Sequence, residues 1–298
     1  MRGLLICCFA VIGLASGALA QPADGKLPFS QDELLLLAAE QIPFISTAKT
    51  GPMSYPRSEG ALPLEPTWTS LGLLAAPPSS KVPALSEGLS AGVWQQDQAS
   101  GSWFTWAAGT VARWDDGRLV VVAQNVQSSD FHISTKAGYV ASRESGDEDR
   151  IVLHSLADTG RSRRVVLTAT HLFAPRFSPD GTMLLVQRSG GVNDGFDIVS
   201  LESGNVLHRS AGYWASWAGG SKSLVFAEIT SDGYRVKDST LKVLKLENGR
   251  QYFLPVSGHY VPMYPVFSPD GKMLAFVDAR TGGVVVMDAP GLGAEVRP

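Results

Sequence analysis

The sequence predicts an all-β fold, a β-propeller of four-stranded blades. Three observations carry the prediction: a strict motif that returns at twice the length of a blade, worn copies around it, and one turn syntax shared by the copies. The strict motif, Phe177-Ser178-Pro179-Asp180-Gly181-Thr182-Met183-Leu184-Leu185-Val186, returns ninety residues later as Phe267-Ser268-Pro269-Asp270-Gly271-Lys272-Met273-Leu274-Ala275-Phe276. Between them, Trp217-Ala218-Gly219-Gly220-Ser221-Lys222-Ser223-Leu224-Val225-Phe226 aligns without a gap; the proline and aspartate are gone, but the aromatic residue, the turn and the apolar run persist. Fainter copies start at Ile133 and, with a longer turn, at Trp94. Successive starts lie 39, 44, 40 and 50 residues apart, close to the roughly 40–45 residues of a four-stranded blade.

Each copy divides in the same way. In the unit that starts at Phe177, a first strand ends at Pro179-Asp180-Gly181, a second runs from Met183 to Gln187, and a third from Phe196 to Leu201 turns through Glu202-Ser203-Gly204 into a fourth. Such Gly-containing clusters between apolar runs are hairpin turns. Equivalent third-to-fourth turns are Asp115-Asp116-Gly117, Ala157-Asp158-Thr159-Gly160 and Glu247-Asn248-Gly249. Longer polar loops are expected between second and third strands, at 144–149, 189–195 and 230–239. A single four-stranded sheet cannot bury both faces, so the units must stack face to face in a ring. Five blades are readable from about residue 88 to 298. The stretch before residue 88 is either a degenerate sixth blade or the donor of a strand that closes the ring.

Upstream, residues 1–20 have the form of a secretory signal peptide: Arg2, an apolar run from Leu4 to Leu14, and Ala18-Leu19-Ala20 before Gln21 supply the charge, the greasy segment and the small residues that signal peptidase requires. The run is shorter than the ~20 residues of a membrane span, so no transmembrane segment is expected once it is cleaved. Residues 21–60 read as a short helix and a proline-rich extension. Ser30-Gln31-Asp32-Glu33 has capping-box spacing ahead of an apolar stretch, which predicts a helix over 31–41. Closely spaced prolines from Pro43 to Pro83 then predict extended, irregular chain, with one strand around Trp68 to Leu74. The propeller domain is placed at 61–298.

Composition excludes several classes of function. The chain has 298 residues, a net charge of −3 and no dense basic stripe, which argues against nucleic acid as a partner. Both cysteines, Cys7 and Cys8, fall inside the signal peptide, so the mature protein is expected to lack disulfides, thiolate metal sites and a cysteine nucleophile. No cofactor is indicated. The expected location is periplasmic or secreted.

The aromatic-Ser-Pro-Asp-Gly segment resembles the WD-like repeat of the TolB family and of the propeller domains in prolyl-oligopeptidase-type enzymes, tricorn-type proteases and oligogalacturonate lyases. The resemblance covers about the last 210 residues and implies a propeller; it does not imply a chemistry. A TolB protein carries a folded α/β domain ahead of its blades, and here only a helix and a proline-rich stretch precede them. The peptidases need a catalytic domain beside the propeller, and no room for one is expected here. Serine, proline, aspartate and glycine in the motif are turn-formers.

No catalytic or metal constellation emerges from the remaining residues. The histidines at 132, 154, 171, 208 and 259 lack metal-ligand spacing. Lyases with this repeat place metal-binding histidines at the channel, so His171 and His259, each ahead of a first strand, support an alternative reading as a polysaccharide-directed enzyme with a divalent cation. A small-molecule sensor or carrier is a third reading. Asn193-Asp194-Gly195-Phe196-Asp197 looks like a calcium loop but lacks its other ligands. The candidate binding residues precede the first strands, at positions expected to ring the mouth of the central channel: Phe173 and Tyr213 at one repeat position, Trp214 and Tyr264 at the next, with His259 nearby. They serve either as inter-blade packing or as a surface for another protein or a cell-envelope component, since tyrosine and tryptophan pair a large apolar face with a polar handle.

Overall fold

The computed structural model describes residues 93–289, except 98, 108, 116–117, 129, 191–193, 219, 232–235 and 257–258, together with four short upstream strands. Those strands are β1 (Phe44–Ile45), β2 (Met53–Tyr55), β3 (Thr67–Thr69) and β4 (Gly72–Leu74). The predicted helix over 31–41 and the signal peptide lie outside the described residues. From residue 93 the chain forms four consecutive sheets of four antiparallel strands each. They are β5 (Val93–Gln96), β6 (Trp103–Ala107), β7 (Thr110–Asp115) and β8 (Arg118–Ala123); β9 (Phe131–Ser134), β10 (Tyr139–Glu144), β11 (Asp149–Ser155) and β12 (Arg163–Ala169); β13 (Leu172–Phe177), β14 (Met183–Arg188), β15 (Gly195–Ser200) and β16 (Val206–Ala211); and β17 (Tyr213–Trp217), β18 (Ser223–Ser231), β19 (Val236–Lys245) and β20 (Arg250–Leu254). The last blade holds β21 (Pro262–Phe267), β22 (Met273–Asp278) and β23 (Val284–Asp288).

Its fourth strand comes from upstream. β2 pairs antiparallel with β23, Ser54 opposite Val285, so the segment before residue 88 does donate a strand to the last blade. It also builds a three-stranded sheet in the order β1-β4-β3, whose β3 lies against β21. The expectation of irregular chain is corrected here for Met53–Tyr55: the strand is bracketed by Pro52 and Pro56, and proline is excluded from central strands but not from the outermost one. The single strand expected from Trp68 to Leu74 is a tight hairpin, Thr69 opposite Gly72. The loop expected at 230–239 is also shorter than its polar composition suggested, because β18 and β19 run on as a ladder that pairs Ile229 with Ser239 and Thr230 with Asp238. Among the described residues no helix is long and apolar enough to cross a membrane.

The turn motif works as its residue types require. The Ser178 hydroxyl donates to Asp180 Oδ1 at 2.6 Å and accepts the Met183 amide at 2.9 Å, while Asp180 Oδ1 accepts the Thr182 amide at 3.0 Å. Ninety residues on, Ser268, Asp270, Lys272 and Met273 make the same three bonds at 2.6, 2.9 and 3.1 Å. Burial works against ionisation of Asp180, but the bonds from Ser178, Thr182 and Ser221 together hold its carboxyl below the usual value. Gly181 has φ 76°, and a Cβ there would come within 2.9 Å of the Ala137 backbone in the preceding blade, so the position needs glycine twice over.

Apolar runs inside the blades feed two cores at once. Leu184 and Val186 pack towards Ile151 and Leu153 of the preceding blade, whereas Leu185, Phe196 and Ile198 pack towards Leu224 and Phe226 of the next. A sheet covered on both faces reads as a continuous apolar stretch and not as an alternation. Each such fully buried side chain contributes roughly 1.5–3 kcal/mol.

Polar groups inside the blades are few and specific. His154 is fully buried, with Nε2 3.0 Å from the Ser142 hydroxyl, and burial, helped by Arg163, lowers its pKa from 6.5 to about 4. Burial and then Arg176 push His132 to about 3, against the pull of Asp97. Both imidazoles are neutral in the folded chain and protonate more readily once it unfolds. The unfolded state therefore binds more protons below pH 6.5, and stability is lost as pH falls from 6.5 towards 4, at up to about 1.4 kcal/mol per pH unit for each histidine. Urea unfolding at a series of pH values should show that slope, reduced in His154→Asn; a flat profile over the interval would contradict buried neutral histidines.

Candidate binding site on the axial face

First strands of neighbouring blades lie side by side, β9 beside β13 and β17 beside β21, as innermost strands do. Three of these strands share an irregularity. Register with the second strand breaks between Phe173 and Arg176, between Tyr213 and Ser216, and between Met263 and Val266. At the same repeat position in each, Ala174, Trp214 and Tyr264 adopt left-handed backbone with φ of 47°, 54° and 51°. Such angles are uncommon outside glycine and are costly for bulky side chains. The candidate residues were expected just ahead of the first strands. Phe173, Tyr213, Trp214 and Tyr264 stand inside those strands instead, because each strand starts early, bulges, and resumes pairing near the aromatic residue that opens the repeat motif.

A bulge removes main-chain groups from the ladder, and the preceding blade supplies partners for them. Gln187 Nε2 donates to the Ala215 carbonyl at 3.2 Å, the Ser216 hydroxyl donates to the Pro265 carbonyl, and Asp130 Oδ2 accepts the Ala174 amide at 2.9 Å. Similar bonds run alongside: His132 Nδ1 accepts the Phe177 amide at 3.3 Å, and Trp217 Nε1 donates back to the Arg176 carbonyl at 3.1 Å. The bulges are thus fixed from the neighbouring blade.

Their geometry brings three rings together. Tyr213 and Trp214 have centroids 5.8 Å apart, and Trp214 reaches across to Tyr264 of the next blade at 4.7 Å with an interplanar angle of 41°. All three are half-buried. Trp214 packs against the cluster between these blades, which includes Phe267 and Phe276, so it takes part in packing as well as in the surface. The Tyr213 hydroxyl donates to Asp194 Oδ2 at 2.7 Å. Phe173 holds the position equivalent to Tyr213 one blade earlier and is also half-buried. His259 is exposed in the segment before β21, where its carbonyl accepts Arg280 Nη1 at 2.8 Å.

His171, the other histidine of the enzymatic alternative, is exposed in the turn between β12 and β13. Among the described residues no three His, Cys, Asp or Glu side chains gather closely enough to hold a metal. One constellation was missed by sequence reasoning. Asp197, fully buried on β15, accepts Arg188 Nε at 3.0 Å and a fork of Arg209 Nε and Nη2 at 2.9 and 3.0 Å. Its signal was an aspartate between Phe196 and Ile198 in an otherwise apolar strand.

The fold so described is a β-propeller with four-stranded blades. No protein-family model matches the chain, and no curated protein does. Solved structures that it resembles include a TolB protein from Agrobacterium tumefaciens, described as putative, at 15% identity and TM-score 0.49 over 63% of this chain and 71% of that one. Others are the hydrazine synthase of Kuenenia stuttgartiensis, at 16% identity and TM-score 0.49 over 66% and 64%, and TolB from Acinetobacter baumannii, at 17% and 0.34 over 66% and 63%. In the last two cases the match spans less than two thirds of the other chain. The likeness is one of fold alone.

The bulge makes its own prediction. Trp214→Ala and Trp214→Gly lose the same ring, but only glycine relaxes a left-handed backbone, so the glycine variant should be the more stable by about 1 kcal/mol. Thermal unfolding of the two variants side by side checks this. An alanine variant as stable as the glycine one, or more so, would place Trp214 in ordinary strand geometry.

Proposed function

We infer that the protein is an exported, non-enzymatic propeller that binds another protein or a cell-envelope component through the face bearing Phe173, Tyr213, Trp214 and Tyr264, with His259 at its margin. The observation that carries this reading is the run of three half-buried rings across two blades. Two of them stand on strained backbone that the neighbouring blade holds in place. Strain of this kind persists where the surrounding structure over-determines it, and it concentrates at binding sites. Rigid aromatic anchors lose little conformational freedom on binding, which suits them to be the residues that dominate an interface.

Export rests on the signal-like residues 1–20, and gives the periplasmic or secreted location. We assign residues 21–60 to an extension whose strand β2 completes the last blade, and 61–298 to the propeller body. Nucleic acid is not a partner on this reading, since the net charge is −3.

Truncation of the rim separates binding from packing. Tyr213→Ala and Tyr264→Ala should each cost about 1–3 kcal/mol of partner affinity, read as reduced recovery of the partner from envelope extracts, while the melting temperature changes little. Variants that unfold early and still retain the partner would make the rings core and not surface.

A further inference from the structure

A second site, of different chemistry from the aromatic rim, lies on the third complete blade. A cavity of about 400 Å³ opens between the end of β12, the loop after β14 and strand β16, lined by Thr170, His171, Arg188, Ser189, Gly190 and Arg209. That volume suits a small molecule. Among the described lining residues none is acidic, and three carry basic side chains.

Asp197 makes this lining rigid. One buried carboxylate holds two guanidiniums, Arg188 through Nε and Arg209 through Nε and Nη2, so the cluster of these three groups bears a net positive charge. Arg209 spends one edge on Asp197 and remains 61% exposed, which turns the rest of its planar fork to the solvent side. Guanidiniums fixed in this way are suited to bind carboxylate or phosphate oxygens with little loss of entropy.

The backbone beside them is unusual as well. His171 is left-handed at φ 57°, and Gly190 has φ 137°. A Cβ on Gly190 would only touch the His171 ring, at 3.4 Å; it is the positive φ that calls for glycine there. The Gly190 amide donates to Asp194 Oδ1 at 2.7 Å, and the other oxygen of Asp194 takes the Tyr213 hydroxyl. The acidic group of this loop is therefore engaged in fixing the loop. The hydroxyl residues Thr170 and Ser189 complete a polar lining.

We propose that this cavity binds the oxyanion group of a small molecule, a carboxylate or a phosphate, on the face formed by Arg209, Arg188 and His171. The test uses the mature full-length chain. Thermal unfolding and titration calorimetry are run with inorganic phosphate and, separately, with succinate, each against sodium chloride at the same ionic strength. Ligand that binds only the folded state raises the melting temperature in proportion to its concentration over Kd. A rise with phosphate alone assigns a phosphate ligand; a rise with succinate assigns a carboxylate. In either case Ser189→Asp, which adds a negative charge to the lining and leaves the Asp197 cluster intact, should weaken binding by about tenfold or more. Arg209→Gln should do the same, and Arg250→Gln, an equal charge change on β20, should not. The proposal is overturned if neither anion acts beyond chloride. It is also overturned if the effect survives in both Ser189→Asp and Arg209→Gln, or disappears equally in Arg250→Gln.

Discussion

Hydrogen bonds from the side chains of one blade to the innermost main chain of the next are the interaction on which the rest depends. Apolar packing between sheets favours stacking but fixes neither register nor angle. Gln187 on the Ala215 carbonyl, Ser216 on the Pro265 carbonyl, Ser239 on the Pro262 carbonyl and His132 beneath the Phe177 amide do fix them. Each satisfies a buried main-chain group that would otherwise cost on the order of 1–3 kcal/mol. The blades are therefore locked as well as stacked.

That locking explains the axial surface. A left-handed tryptophan or tyrosine is unfavourable by itself, and it survives because its neighbours are satisfied from the adjoining blade. The same bulge turns the rings of two blades towards each other, so Trp214 and Tyr264 meet at 4.7 Å. Asp194 then joins this rim to the basic cavity, with one carboxylate oxygen on Tyr213 and the other on the Gly190 amide. Two sites of different chemistry thus share one loop of the third complete blade, one apolar and one suited to anions.

The blades were legible because their turns demand particular residues. Serine must accept and donate, aspartate must accept amides, and glycine must take positive φ, so Phe177–Val186 and Phe267–Phe276 show the fold on inspection. The bulges were not legible, since Ala174, Trp214 and Tyr264 share no residue type; what they share is a main-chain angle enforced from the preceding blade. Strand β2 was hidden for a different reason: three residues between prolines carry no periodicity, and their pairing depends on a partner about 230 residues away. Polar composition also misled at 230–239, where the exposed residues Thr230, Ser231, Lys237 and Asp238 belong to the strands of a long hairpin. The Asp197 cluster needed register, for only the pairing of Asp197 with Arg209 across β15 and β16 shows that the charges meet. Candidate rim residues were found by alignment on the motif, whereas the basic cavity lay beyond it.

The last blade is completed from upstream by β2, which ties it to the segment ahead of the first complete blade. The central measurement is a cross-link between β2 and β23. Ser54 and Val285 face each other across that pair, at a Cα separation of about 4.5–5.5 Å for opposed antiparallel residues, within reach of a disulfide. The two native cysteines, Cys7 and Cys8, both lie in residues 1–20, so in a chain prepared without that segment Ser54→Cys with Val285→Cys introduces a single possible bond. Non-reducing electrophoresis and thiol titration after mild oxidation should show it formed in the folded protein, with a melting temperature raised over the reduced form. Two thiols that stay free while the chain remains folded would contradict a last blade completed by its upstream strand.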